Sequence, residues 1–262
     1  MKIIHLVILC MLSLTINAQV DHGYDTTRIR AAYEKNVFIC NNSIKLPYRL
    51  LKASSGKANR PIVLFLHGAG ERGNDNEICL NYIDRVFNSE KFKNLYDAHV
   101  VIPQCNSDFR WVEVDWSDAN HTMPVKISGY LEAANDLLDS LVKVLNADTT
   151  RIYVTGISMG GFGTWDIISR YPHKFAAAVP VCGGADEKQA SNIAQTPVYT
   201  AHGTADNSVM ISRSRNVVAA VKKAGGKQII YKEYPGKGHF IWNGFYAEPY
   251  TFAWMFKQKR TN

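Results

Sequence analysis

The sequence predicts a doubly wound α/β sheet, mostly parallel with an antiparallel start, from three observations. Short apolar or β-branched runs alternate with amphipathic stretches, the pattern of strands joined by crossover helices. Several of these runs end in turn-rich loops carrying polar residues: Pro61–Leu66 runs into His67-Gly68-Ala69-Gly70-Glu71-Arg72-Gly73, and Pro197–Ala201 into His202-Gly203-Thr204-Ala205-Asp206. The stretch Arg151–Gly163, RIYVTGISMGGFG, reads as strand, sharp turn and helix.

Taken in order, Val37–Lys52 holds two extended runs around Asn41-Asn42, a hairpin signal. Pro61–Leu66 is continuously apolar, as a strand covered on both faces must be. Ile78–Phe87 reads as a short helix and His99–Pro103 as a strand, followed by a long loop with Trp111 and Trp116. Over Ile127–Leu145, Tyr130, Leu131, Ala134, Leu137, Leu138, Leu141 and Leu145 share one helical face. After the strand at Arg151, Phe162, Trp165 and Ile168 keep helical spacing until Tyr171-Pro172. Phe175–Val181 is a strand ending in Cys182-Gly183-Gly184, and Ile211–Ala224 a helix stopped by Gly225-Gly226. Lys227–Tyr234 is the last strand, leading through Pro235-Gly236-Lys237-Gly238 to His239, and a helix spans about 249–257.

Met1-Lys2, an apolar core to Ile16 and Ala18 read as a secretory signal peptide cut after Ala18, leaving residues 19–262 as one α/β domain. The expected location is therefore secreted or periplasmic, with no stable membrane insertion after signal removal. The net charge of +7 is spread along the chain, with close groups only at Lys222-Lys223 and Lys257–Arg260. No nucleic-acid-binding motif accompanies it, so no nucleic-acid partner is expected. Cys40, Cys79, Cys105 and Cys182 are widely spaced and read as buried thiols. No H-E-x-x-H, C-x-x-C or P-loop pattern is present, so neither a metal nor a cofactor is expected.

Gly156-Ile157-Ser158-Met159-Gly160 matches G-x-S-x-G in the strand–turn–helix context that a nucleophile elbow needs. A serine hydroxyl needs an adjacent base, and the base needs an orienting group. Ser158, Asp206 and His239 follow strand ends in the chain order of α/β-hydrolases and are the candidate nucleophile, acid and base. Asp186 is the alternative acid. His67 and His202 read as loop supports. The oxyanion of a tetrahedral intermediate needs N–H donors, and Met159 and Ala69 occupy the positions to supply them.

These segments together resemble secreted α/β-hydrolases related to feruloyl esterases and polyhydroxybutyrate depolymerases, often labelled predicted peptidases. The resemblance rests on Leu66–Gly73, Pro103-Gln104-Cys105, Arg151–Trp165, His202–Asp206, Gly238-His239 and Trp254, and spans about residues 37–257. It implies a cofactor-free serine esterase with Ser158, Asp206 and His239 as triad, acting on small-molecule or polysaccharide esters such as acylated or feruloylated plant polysaccharides. Phe240-Ile241-Trp242 departs from the short polar residue that relatives often carry after the histidine. Trp111 and Trp242, with Trp116, are candidates to line the acyl pocket. A peptidase or amidase of the same fold, or a catalytically silent carbohydrate-binding protein, are the alternatives.

Overall fold

The computed structural model describes residues 26–40 and 43–260. The expected signal segment and the Asn41-Asn42 turn lie outside the described residues. A short helix α1 (Thr26–Ala31) precedes the strand pair β1 (Glu34–Ile39) and β2 (Lys45–Leu51). Then follow β3 (Ile62–Leu66), α2 (Asp84–Phe87), α3 (Glu90–Tyr96), β4 (His99–Pro103), α4 (Gly129–Val144), β5 (Ile152–Ile157) and α5 (Met159–Arg170). The chain continues with β6 (Ala177–Val181), α6 (Ala190–Ile193), β7 (Val198–Gly203), α7 (Ser212–Lys223), β8 (Ile229–Tyr234), α8 (Trp242–Ala247) and α9 (Pro249–Lys257).

The strands form one sheet in the order β1-β2-β4-β3-β5-β6-β7-β8. β2 pairs antiparallel with both β1 and β4, and every other pairing is parallel. The chain therefore adopts the doubly wound sheet with an antiparallel start that its pattern predicts, which is the α/β-hydrolase arrangement.

Side-chain alternation along the strands divides the core between the two faces. Ile62, Leu64 and Leu66 of β3 pack with Leu131 and Leu138 of α4, Phe162 and Trp165 of α5, and Val217 and Val221 of α7. Val63 and Phe65 point the other way, into Phe87 of α2, Phe92 of α3, Phe245 of α8 and Phe252 of α9. Covering both faces requires the unbroken apolar runs seen in β3 and β6, and each fully buried large side chain contributes roughly 1.5–3 kcal/mol. The four cysteines from Cys40 to Cys182 are unpaired and buried. Among the described residues no helix is long and apolar enough to cross a membrane.

The elements differ from the sequence reading in three ways. α4 starts at Gly129 because the Ser128 hydroxyl accepts the Leu131 N–H at 3.2 Å and caps the helix. The helix expected over Ile78–Phe87 is split: a 3₁₀ turn at Ile78–Leu80 and α2 flank Tyr82, whose φ of 65° breaks helical geometry. α1, α3, α6 and α8 are helices where no helix was expected.

The strand order fixes where chemistry can occur. From β3 the chain steps to β4 on one side, then returns to place β5 on the other side of β3. This reversal opens a crevice beyond the carboxyl ends of β3 and β5, where open α/β sheets bind ligands. The glycine loop after Leu66 and the serine after Ile157 both stand at that crevice.

Candidate active site

Ser158 sits between β5 and α5 with φ 54° and ψ −118°, a conformation that non-glycine residues avoid and that costs on the order of 1–3 kcal/mol. The strain is held by contacts on both sides. The Ser158 N–H donates to Val181 O at 2.9 Å, and the Ser158 carbonyl accepts the Phe162 N–H at 3.1 Å. A Cβ on Gly160 would lie 1.8 Å from Leu66 O, so the helix start can close on β3 only if that residue is glycine.

Two further loops meet this turn. A Cβ on Gly203 would lie 2.2 Å from Gly238 O, and Ala205 N–H donates to Lys237 O at 2.9 Å. The loop after β7 and the loop after β8 are thereby clamped together, bringing Asp206 beside His239. His239 Nδ1 lies 2.6 Å from Asp206 Oδ2, and His239 Nε2 lies 2.8 Å from Ser158 Oγ. Because a carboxylate only accepts, the proton of a neutral His239 sits on Nδ1, leaving Nε2 to accept from the serine hydroxyl.

Asp206 is held from every side. Its Oδ1 accepts the N–H groups of Ser208 at 2.8 Å and Val209 at 2.9 Å. Its Oδ2 also meets His202 Nε2 at 3.1 Å. Burial alone would raise the carboxyl, but hydrogen bonds from His202, His239 and the Val209 N–H hold it far below the usual carboxylate range. The buried His202 is a contribution that sequence reasoning missed. Its spacing to Asp206 is visible as H-x-x-x-D, but only the loop geometry turns the ring onto the carboxylate. His202 Nε2 faces two acceptors, Asp206 Oδ2 and Val209 O at 3.0 Å, so it carries a proton, and Nδ1 meets Ser214 Oγ at 2.8 Å.

Met159 is the first residue of α5, so its N–H is among those a helix leaves without an internal partner. Ala69 opens a 3₁₀ turn in the loop after β3. That loop is built on His67, which is fully buried: Nδ1 donates to Gly68 O at 2.7 Å, and Nε2 accepts the Cys105 N–H at 3.0 Å. The Trp111 indole donates to His67 O at 3.0 Å, and the two rings meet edge to face. Trp111 is 0% exposed, so its expected place in a substrate pocket is corrected: it supports the loop from within the core, where no substrate can reach it. Trp242, 4% exposed, packs edge-on to His239 with ring centroids 5.2 Å apart. Trp116 is half-buried, with Arg110 over its ring. Asp186 does not approach His239; it accepts the N–H groups of Met123 at 2.9 Å and Lys188 at 3.0 Å and serves as a helix cap.

Among the described residues, Cys182, His202 and Asp206 are the cluster whose donor atoms lie close enough to share a metal, within 4.8 Å of one another. The chemistry of the set is poor for that purpose. Burial pushes the Cys182 thiol well above its usual range, and Asp206 already accepts four hydrogen bonds.

Burial lowers the His67 pKa from 6.5 to about 4; the Gly68 carbonyl that accepts from Nδ1 acts the other way, and the Arg72 charge adds to the lowering. The unfolded chain therefore binds this proton more readily, and the folded state loses stability as pH falls from about 6.5 to about 4, by roughly 3 kcal/mol. The low pKa of Asp206 works in the same direction, its contribution being lost below the usual carboxylate range. Urea unfolding measured across that window should show the decline, and His67→Gln should make it shallower, the lowered His99 and His121 keeping a part of it. A variant curve parallel to the wild type would contradict the assignment.

Residues 112–249, more than half of the chain, match the model of the Dienelactone hydrolase family. An uncharacterized secreted protein of Arthroderma benhamiae is 29% identical over 70% of this chain, a region that spans 22% of the fungal protein's length. A probable carboxylesterase of Oryza sativa subsp. japonica is 27% identical, with 72% of this chain matching 75% of the plant protein. The crystal structure of a thermostable esterase superposes with a TM-score of 0.82 at 31% identity, covering 89% of this chain and 64% of that one.

Proposed function

The chain belongs to the dienelactone hydrolase family, and we propose that it is an exported, cofactor-free serine esterase using Ser158, His239 and Asp206. The observation that carries this reading is the continuous chain of contacts, 2.6 Å from carboxylate to imidazole and 2.8 Å from imidazole to hydroxyl. The esterase named among its structural relatives supports it.

In this mechanism Ser158 Oγ attacks the ester carbonyl while His239 Nε2 takes its proton. The negative charge passes to the former carbonyl oxygen, which the Met159 and Ala69 N–H groups stabilise. Collapse of the intermediate expels the alcohol, which leaves with the proton from His239. Water then repeats the sequence on the acyl-enzyme and releases the acid. Asp206 stays ionised throughout; it holds the Nδ1–H tautomer and stabilises the imidazolium, and His202 fixes Asp206 in turn. Asp206→Asn would present an N–H₂ or a weaker acceptor to the ring and favour the wrong tautomer, and it should lower kcat by about 10⁴. Retention of more than a tenth of the activity would remove Asp206 from the mechanism.

The substrates proposed are carboxylic esters of the acyl and feruloyl type that decorate plant polysaccharides. A panel of feruloyl, acetyl and longer aliphatic esters, with matched anilides, tests this reading. Turnover of acetyl or feruloyl esters above anilides is expected. Preferential cleavage of the anilides would reassign the chain to amide hydrolysis.

A further inference from the structure

His239 is bordered by exposed aromatic side chains. Phe240 is 71% exposed and Tyr82 44%, where most large apolar side chains of this protein are buried. Their rings form a connected group with Trp242: centroids lie 4.9 Å apart for Phe240–Trp242, 5.8 Å for Tyr82–Trp242 and 6.4 Å for Tyr82–Phe240. Both Phe240 and Trp242 also touch the His239 ring, at 5.7 and 5.2 Å. Tyr82 reaches this group from a backbone with φ 65°, strain that a bulky residue carries only where the surroundings impose it.

The patch continues into a cavity of about 470 Å³, lined by Tyr82 together with Asn81, Asn243 and the Arg30–Asp84 ion pair. Arg30 Nη2 donates to Asn81 Oδ1 at 2.8 Å, which fixes the orientation of that amide. Flat rings beside amide and guanidinium groups suit a ligand with one apolar face and a rim of hydroxyls. A purely aromatic ligand would use the rings and leave the amides unmatched.

The position relative to His239 assigns the side of the ester. The leaving oxygen takes its proton from Nε2, so the alcohol must lie within hydrogen-bond reach of this imidazole. The carbonyl oxygen, in contrast, faces the Met159 and Ala69 donors.

We infer that Tyr82 and Phe240, backed by the buried Trp242, form an alcohol-side subsite on which a sugar ring stacks, with its hydroxyls directed toward Asn81 and Asn243. The subsite rests on the proposed esterase reading for its place in the reaction.

Two measurements on the full chain separate the subsite from that reading. The first compares acetates of a methyl pyranoside, phenol and ethanol, which share one acyl group. Phe240→Ala and Tyr82→Ala should each lower the kcat/KM ratio of pyranoside acetate to ethyl acetate about tenfold, the loss of one ring contact. Asn243→Ala should lower the pyranoside ratio but not the phenyl ratio. Unchanged ratios in the ring variants overturn the subsite, and an Asn243→Ala effect absent from the pyranoside makes it an aryl site instead. The second titrates the methyl pyranoside acetate into Ser158→Ala protein and follows tryptophan fluorescence. Binding weakened about tenfold by the added Phe240→Ala change supports the subsite even if the wild type hydrolyses no ester, an outcome that would refute the esterase reading alone. Binding indifferent to that change refutes the subsite alone.

Discussion

Replacing Ser158 by Ala is expected to lower kcat on p-nitrophenyl acetate by about 10⁶, roughly 8 kcal/mol of barrier. In the proposed mechanism the hydroxyl carries the acyl intermediate, and removing it leaves His239 and Asp206 with nothing to activate. The small residual rate would come from the Met159 and Ala69 donors acting on a bound ester with water as nucleophile. The fold should survive, because the elbow is held by backbone contacts to Val181 and Phe162 rather than by the side chain. The strained backbone adds a second expectation. Ser158→Gly removes the conformational penalty at φ 54° and should be more stable than Ser158→Ala by about 1 kcal/mol, while being equally inactive. Chemical denaturation of the pair checks this, and equal stability would mean that the turn stores no strain.

Gly160→Ala has the largest expected effect on the fold itself. The added methyl would stand 1.8 Å from Leu66 O and 2.8 Å from His67 O, both backbone atoms at the end of the central strand. No side-chain rotation relieves such a clash, so α5 must move away from β3 or the protein must unfold. A loss of at least about 3 kcal/mol is expected, which for a chain of this size lowers Tm by roughly 10 °C. Gly70→Ala is the matched control, because nothing lies within 4 Å of its Cβ position. Its stability should stay within about 0.5 kcal/mol of the wild type. Equal destabilisation by the two changes would show that loop flexibility, not the close approach at Gly160, sets the stability of this region.

The parts of this architecture written in local sequence are those fixed by short-range sterics. The apolar runs of β3, β5 and β6 have to be continuous because helices cover both faces, and Gly160 has to be glycine because a strand end touches it. The same holds for the apolar face of α4, although its start at the Ser128 cap emerged only in the structure. What escaped the sequence depends on distant partners. α8 contains Gly244 and covers only Trp242–Ala247, too short for helical periodicity to show; the aromatic core beneath Phe245 and Tyr246 accounts for its place. Trp111 follows a strand and precedes a helix, like a loop residue free to meet substrate, yet its indole finds the His67 carbonyl inside the core. His202 gives no sign of its contact with Asp206 until β7 and the turn after it are folded. Tyr82 and Phe240 are far apart in sequence and become neighbours only through the loops around His239.

The most direct test of the proposed chemistry is to trap the acyl group. Mixing the protein with p-nitrophenyl acetate, quenching in acid within the first turnover and mapping the digested peptides by mass should place one acetyl group on Ser158, and His239→Ala should reduce its rate of formation by several orders of magnitude. An acetyl group found on another residue, or full ester turnover with no covalent adduct at Ser158, would contradict the account.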